Sequence, residues 1–169
     1  MDALECIHTR RSIRKYLDKE VSDELIEKIL RAGMIAPSAA NQQPWHFIVI
    51  KDRKILDSFP KMHKYTAMCK TAQAAIIVCA DTSPSEFKQF WPQDCAACTQ
   101  NMLLAIHDLG LGGVWVGLYP REEYIKTFSE SFKLPKNIIP FSLIPIGYPA
   151  VGSTRQDRYN KDRVHNDRW

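Results

Sequence analysis

The most concentrated chemistry in the sequence lies near its start. "HTRRSIRKY" (residues 8–16) sets Arg10, Arg11, Arg14 and Lys15 around the hydroxyl of Ser12. A phosphate monoester carries close to two negative charges and several acceptor oxygens. A few guanidiniums, a hydroxyl and backbone N–H groups converging from different directions make a fitting receptor for it. In an extended conformation the period of two puts Arg10, Ser12 and Arg14 on one side, with Arg11 and Ile13 on the other. Taken singly, the run reads more readily as a solvated charged turn.

A second stretch, "APSAANQQPWHFIVI" (residues 36–50), has more hydrogen-bonding capacity than a plain connector needs. Pro37 and Pro44 bracket six small or amide-bearing residues. The amides of Asn41 and Gln43 both donate and accept, which suits the edge of a heterocycle carrying carbonyls and ring nitrogens. Here too a simpler reading stands alongside, a turn whose amides bond local backbone.

The elements that must position these stretches follow from periodicity. In "VSDELIEKILRAGMIAPS" Ser22 can cap, Asp23 and Glu24 favour the positive helix end, and Leu25, Ile26, Ile29, Leu30 and Met34 recur at helical spacing until Pro37. "WHFIVI" (residues 45–50) reads as a strand and "DRKILDSF" (52–59) as a short helix. The continuous apolar run "AAIIVCA" (74–80) reads as a buried strand. Residues 81–93 are polar with aromatics, a loop or short helix in which Phe87, Phe90 and Trp91 could pack or line a pocket. "DCAACTQNMLLAIHDLGLGG" (94–113) is the longest helical pattern, stopped by Gly110. "GVWVGLY" (113–119) and "FSLIPIGYP" (141–149) complete about four strands, with "REEYIKTFSESF" (121–132) helical between them, and the basic tail has no period. The predicted class is α+β, a mixed sheet among helices in one domain spanning residues 1–169.

Composition narrows the function. With 169 residues, 45% of them hydrophobic, the chain can bury one real core. A formal charge of +4 is only mildly basic, and acids are interspersed with the Lys and Arg, which argues against nucleic acid as the partner. No apolar run approaches the roughly 18 to 20 residues of a membrane span. The start "MDALECIHTRR" does not read as a secretory leader, and five cysteines fit reduced thiols, so a cytoplasmic protein is expected. "CAAC" (95–98) sits inside a helical pattern without a second ligand pair, and the five histidines are scattered, so buried thiols and no metal are expected. The glycines of residues 110–113 follow a helix and lead into a strand, the reverse of a dinucleotide-binding fingerprint.

Taken together, "RRSIRKY", "APSAANQQPWHFIVI", "GLGGVWVGLY" (110–119) and the terminal "RYNKDRVHNDRW" (158–169) resemble, in order and spacing over nearly the whole length, the nitroreductase family of flavin enzymes. The resemblance implies a mainly antiparallel sheet surrounded by helices and an intertwined homodimer with FMN at the interface. It also implies ping-pong electron transfer from NADH or NADPH to a nitroaromatic, quinone or similar small acceptor. Carried over residue by residue, Arg10, Ser12 and Arg14 hold FMN phosphate and ribityl oxygens, with Arg11 adding backbone contact and Arg158, or next Arg155, completing the phosphate site. Pro37, Ser38, Ala39, Asn41 and Gln43 form the loop laid against the partner's flavin, and Val116 and Gly117 bring backbone N–H groups to the ring. No catalytic side chain is implied, because the cofactor carries the redox chemistry. Some longer relatives have an acidic residue where this chain has Val116, and lysines flanking their flavin have no match here. The competing expectation is a flavin carrier or sensor without turnover.

Overall fold

The computed structural model describes residues 1–83, 87–152 and 154–169. Part of the irregular stretch at 81–93, and Ser153 at the head of the tail, lie outside the described residues. Helices α1 (Ala3–Thr9), α2 (Asp23–Met34), α3 (Arg53–Met62), α4 (Trp91–Asp108) and α5 (Glu122–Ser131) surround strands β1 (Trp45–Ile50), β2 (Ala74–Asp81), β3 (Gly112–Gly113), β4 (Val116–Gly117) and β5 (Ile138–Gly147). The sheet runs β1-β2-β5-β3, with β4 also paired to β5, and these ladders are antiparallel.

β2 is apolar at every position from Ala74 to Ala80 because both faces of the sheet are covered. Ala74, Ile76, Val78 and Ala80 face α2 and α4, where they meet Ile26, Ile29, Cys98 and Met102. Ala75, Ile77 and Cys79 face the other way into a core built from Leu56, Phe59 and Phe128 of α3 and α5. Ser22 caps α2 by accepting the Leu25 N–H at 3.3 Å, and Gly110, at φ +74°, takes the left-handed conformation that ends α4. The helix expected from residue 94 begins earlier, at Trp91, with Pro92 in its first turn, where a missing N–H costs nothing. The expected strand at 113–119 is instead two short pieces, β3 and β4, interrupted at Val114 and Trp115.

The arginine-bearing segment is stitched to the sheet edge. Ile13 N–H donates to the Gly113 carbonyl at 3.0 Å, Leu17 N–H to Tyr148 at 2.8 Å, and Ala150 N–H returns to Lys15 at 2.9 Å. Gly112 and Gly147 oppose each other across the β3–β5 ladder. A Cβ on Gly112 would lie 2.7 Å from the Ile13 Cβ, and one on Gly147 2.9 Å from the Tyr16 Cβ. These two glycines leave the trough into which Ile13 and Tyr16 sink, and the Tyr16 hydroxyl closes it by donating to the Ile13 and Pro145 carbonyls.

All five cysteines are buried and free. Burial pushes the Cys79 and Cys98 thiols up to about 12 and Cys95 higher still, so neither member of "CAAC" forms the thiolate that redox exchange needs. Ellman's reagent is expected to leave this pair unmodified in the folded protein and to titrate it only after denaturation. Fast labelling of the native pair would contradict that.

Candidate functional site

Segment 10–14 separates two depressions. The first, a groove of about 290 Å³, is lined by Ile7, His8, Arg10, Arg11 and, from the tail, residues 156–159. Its cations are Arg10, Arg11 and Arg158. Burial, then the like charges of Arg11 and Arg158, lower the pKa of the Arg10 guanidinium. The one acid on the wall, Asp157, accepts the Tyr159 N–H at 2.9 Å and pairs with none of the three. Arg11 folds back onto the carbonyls of His8 and Arg10, and its buried Nε has no acceptor among the described residues. Arg158 holds the Gln156 side chain. Guanidiniums gathered without a carboxylate paired to any of them, one with an orphaned N–H, are the donor set a phosphate dianion requires. Arg155 is elsewhere, paired with Glu5 at 3.0 Å.

The second depression, a cleft of about 310 Å³, is lined by Arg14, the 63–68 segment through His63, Tyr65 and Met68, and residues 114–117 and 119–121 around β4. Trp115 and Tyr119 provide its aromatic wall, backed by Trp91 and Phe141, with Trp91 set edge-on to Tyr119 at 4.6 Å. Arg14 and Arg121 are its cations, and neither forms an ion pair among the described residues. Leu118 N–H bonds to the Phe141 carbonyl of β5. Successive residues of an antiparallel strand turn their polar groups to opposite edges, so Gly117 directs its N–H and C=O away from β5, and its carbonyl meets the His63 ring at 3.2 Å. By that alternation the Gly117 N–H lies on the edge away from β5, the side of the cleft, and that of Val116 on the edge toward β5. A Cβ on Gly117 would meet nothing nearer than the Tyr119 oxygen at 3.9 Å. Among the described residues nothing demands a glycine there, and the space it leaves adjoins the cleft.

Arg10 and Arg14 therefore flank exposed Ser12 but open into different depressions, while Ile13 points inward as the period of two requires. Pro37, Ser38, Ala39, Asn41 and Gln43 line neither. Their loop has three non-glycine residues in the left-handed region, Ala40, Asn41 and Gln43 at φ 48°, 55° and 48°, a conformation costing about 1 kcal/mol or more each. It is fixed by Ala39 N–H to Asp94 Oδ1 at 2.9 Å, Gln43 N–H to Ser38 Oγ at 3.0 Å and Gln43 Nε2 to Asn41 Oδ1 at 2.8 Å. So a strained loop is held ready with Asn41 and Gln43 exposed. Sequence reasoning missed His63, Tyr65, Arg121 and the loop anchor Asp94, none of which sits in a local pattern that could reveal it.

The sequence pattern described as the Nitroreductase family matches residues 7–85 and 58–148. A Methanothermobacter thermautotrophicus protein provisionally named NADH dehydrogenase/NAD(P)H nitroreductase is 52% identical over all of this chain and 88% of its own length. A Clostridium acetobutylicum structure, provisionally an NADH oxidase, superposes with a TM-score of 0.94 at 45% identity, covering 97% of this chain and 99% of that one. A provisionally assigned nitroreductase of Desulfovibrio desulfuricans, solved in complex with FMN, gives 0.85 at 32% identity, with 100% and 99% covered. Sequence pattern, full-length identity and fold agree: this chain belongs to the nitroreductase family.

Proposed function

We propose that this protein is an FMN-dependent oxidoreductase of the cytoplasm that passes electrons from NADH or NADPH to a nitroaromatic, quinone or similar small acceptor, in ping-pong order, as a homodimer. The observation that carries the reading is the pair of depressions on either side of Ser12: a groove whose three arginines pair with no carboxylate among the described residues, beside an aromatic-walled cleft. Arg10 and Arg158, with the Ser12 hydroxyl, would hold the phosphate. Arg14 would meet the ring system, and the Gly117 N–H its reactive edge. FMN supplies the electron transfer when bound, which is why no side chain is assigned an acid or base role. Donor and acceptor would then take turns in one open cleft.

A second copy is part of the reading. The strained loop at residues 37–43 lines neither of the two depressions on its own chain, as expected of a loop made for a partner's site. Ile7 and Ile35, 54% and 81% exposed, line a groove beside α4, and Leu4 and Met34 of α1 and α2 are exposed as well, apolar surface of the kind a subunit covers. Among the described residues no helix is long and apolar enough to cross a membrane.

The test is a visible spectrum of the protein reconstituted with FMN, followed by anaerobic NADH and then NADPH. Flavin bands that bleach with a donor and return with acceptor are expected. Bound flavin that neither donor reduces would favour the carrier or sensor, and no binding of FMN would end the proposal.

A further inference from the structure

We propose that His63 is a positioning residue for this site, a neutral imidazole beneath the cleft that anchors the Gly117 carbonyl and so fixes the backbone at Gly117, whose N–H, in the preceding peptide, points at the ligand. The inference rests on reading the cleft as the place of the flavin ring. His63 is 2% exposed, and both ring nitrogens are committed. Nδ1 accepts the Tyr65 N–H at 3.1 Å, so it carries the lone pair. Nε2 therefore carries the hydrogen and donates to the Gly117 carbonyl at 3.2 Å. The ring is clamped against Tyr124, with centroids 3.8 Å apart. One side chain thus ties together three segments of the cleft wall: 63–65, β4 and the start of α5.

Only the neutral form satisfies this network. A second ring proton on Nδ1 would face the Tyr65 N–H, donor against donor, and would push the 63–65 segment away from β4. The charged groups around the ring are Arg121 and Glu123 from the start of α5 and Lys64 from its own segment, and β4 contributes only the Gly117 carbonyl. Burial is the largest influence, and it holds the pKa of His63 below its ordinary value against the opposing pull of the carbonyl and Glu123. The peptide is accordingly fixed throughout the neutral range and released only in acid.

His63→Gln separates positioning from mere packing, because a glutamine amide can donate to Gly117 and accept from Tyr65 yet does not titrate. FMN dissociation constants would be measured by flavin fluorescence quenching from pH 8 to pH 5. FMN itself gains a phosphate proton near pH 6, a change common to both proteins, so the informative quantity is the ratio of the two affinities. His63→Gln is expected to match wild type at pH 7.5 and to bind about threefold or more tightly than wild type at pH 5. His63→Ala should bind roughly two- to tenfold more weakly at every pH, the loss of one neutral hydrogen bond. Imidazole nitrogen NMR of the apoprotein should show the hydrogen on Nε2. A flat affinity ratio, or the hydrogen on Nδ1, would overturn the proposal. Failure of wild type to bind FMN at any pH would instead overturn the reading of the cleft on which it rests.

Discussion

Arg10→Ala should weaken FMN binding by roughly 10- to 150-fold while leaving the apoprotein as stable as before. A hydrogen bond to a charged group contributes about 1.5–3 kcal/mol, and each 1.4 kcal/mol is tenfold in affinity. The second half of the prediction follows from what the guanidinium does without a ligand. It sits beside Arg11 and Arg158, partly desolvated and repelled by both, so removing it relieves repulsion. A residue whose loss costs binding and not stability is there for the ligand. Arg158→Ala should fall in the same direction by less, since that side chain is exposed and is held by Gln156. Arg155→Ala is the control. It breaks only an exposed pair with Glu5, worth at most about 1 kcal/mol, and should leave FMN affinity unchanged. Calorimetric titration of the three variants with FMN, alongside thermal melts of their apoproteins, reads both quantities. An Arg10→Ala protein binding within twofold of wild type would remove the phosphate from that groove.

What the sequence made legible was whatever is written contiguously. The arginine groove could be read from "RRSIR" because two of its guanidiniums and the neighbouring Ser12 hydroxyl lie within five residues, and β2 could be read as doubly buried because seven consecutive residues are small or apolar. The cleft could not be read, because His63, Arg14 and Gly117 meet only after β4 has folded onto β5. A lone histidine in "KMHKY" carries no pattern. The tail offered two arginines three residues apart in a stretch without period. Only the fold separates them, sending Arg155 to Glu5 and Arg158 to Arg10. The amide content of residues 37–43 was visible, yet its left-handed backbone was not, since Ala40 and Gln43 are poor formers of that conformation. That backbone is imposed from outside by Asp94, fifty-five residues further on.

Gly112→Ala tests whether the fold positions the site as described, and it should damage stability and binding together. The new Cβ would come within 2.7 Å of Ile13 Cβ and Cγ2, and no rotamer change moves a Cβ away. Ile13 is 7% exposed and its N–H is bonded to Gly113, so the segment carrying Arg10 and Arg14 must lift off the sheet edge to make room. Overpacking of this kind costs about 1–3 kcal/mol, or roughly 2–12 °C in melting temperature for a domain of this size. Because Ile13 lies between the two arginines, displacing it splays the groove and the cleft at once, and FMN affinity should fall at least about tenfold. Gly110→Ala provides the contrast. Its φ of +74° makes an alanine strained, but no atom lies within 4 Å of the added Cβ. It should lose about 1 kcal/mol and keep its flavin. If Gly112→Ala melts early but binds FMN like wild type, the two depressions tolerate movement of the segment between them. In that case the trough formed by Gly112 and Gly147 serves the sheet edge and not the site.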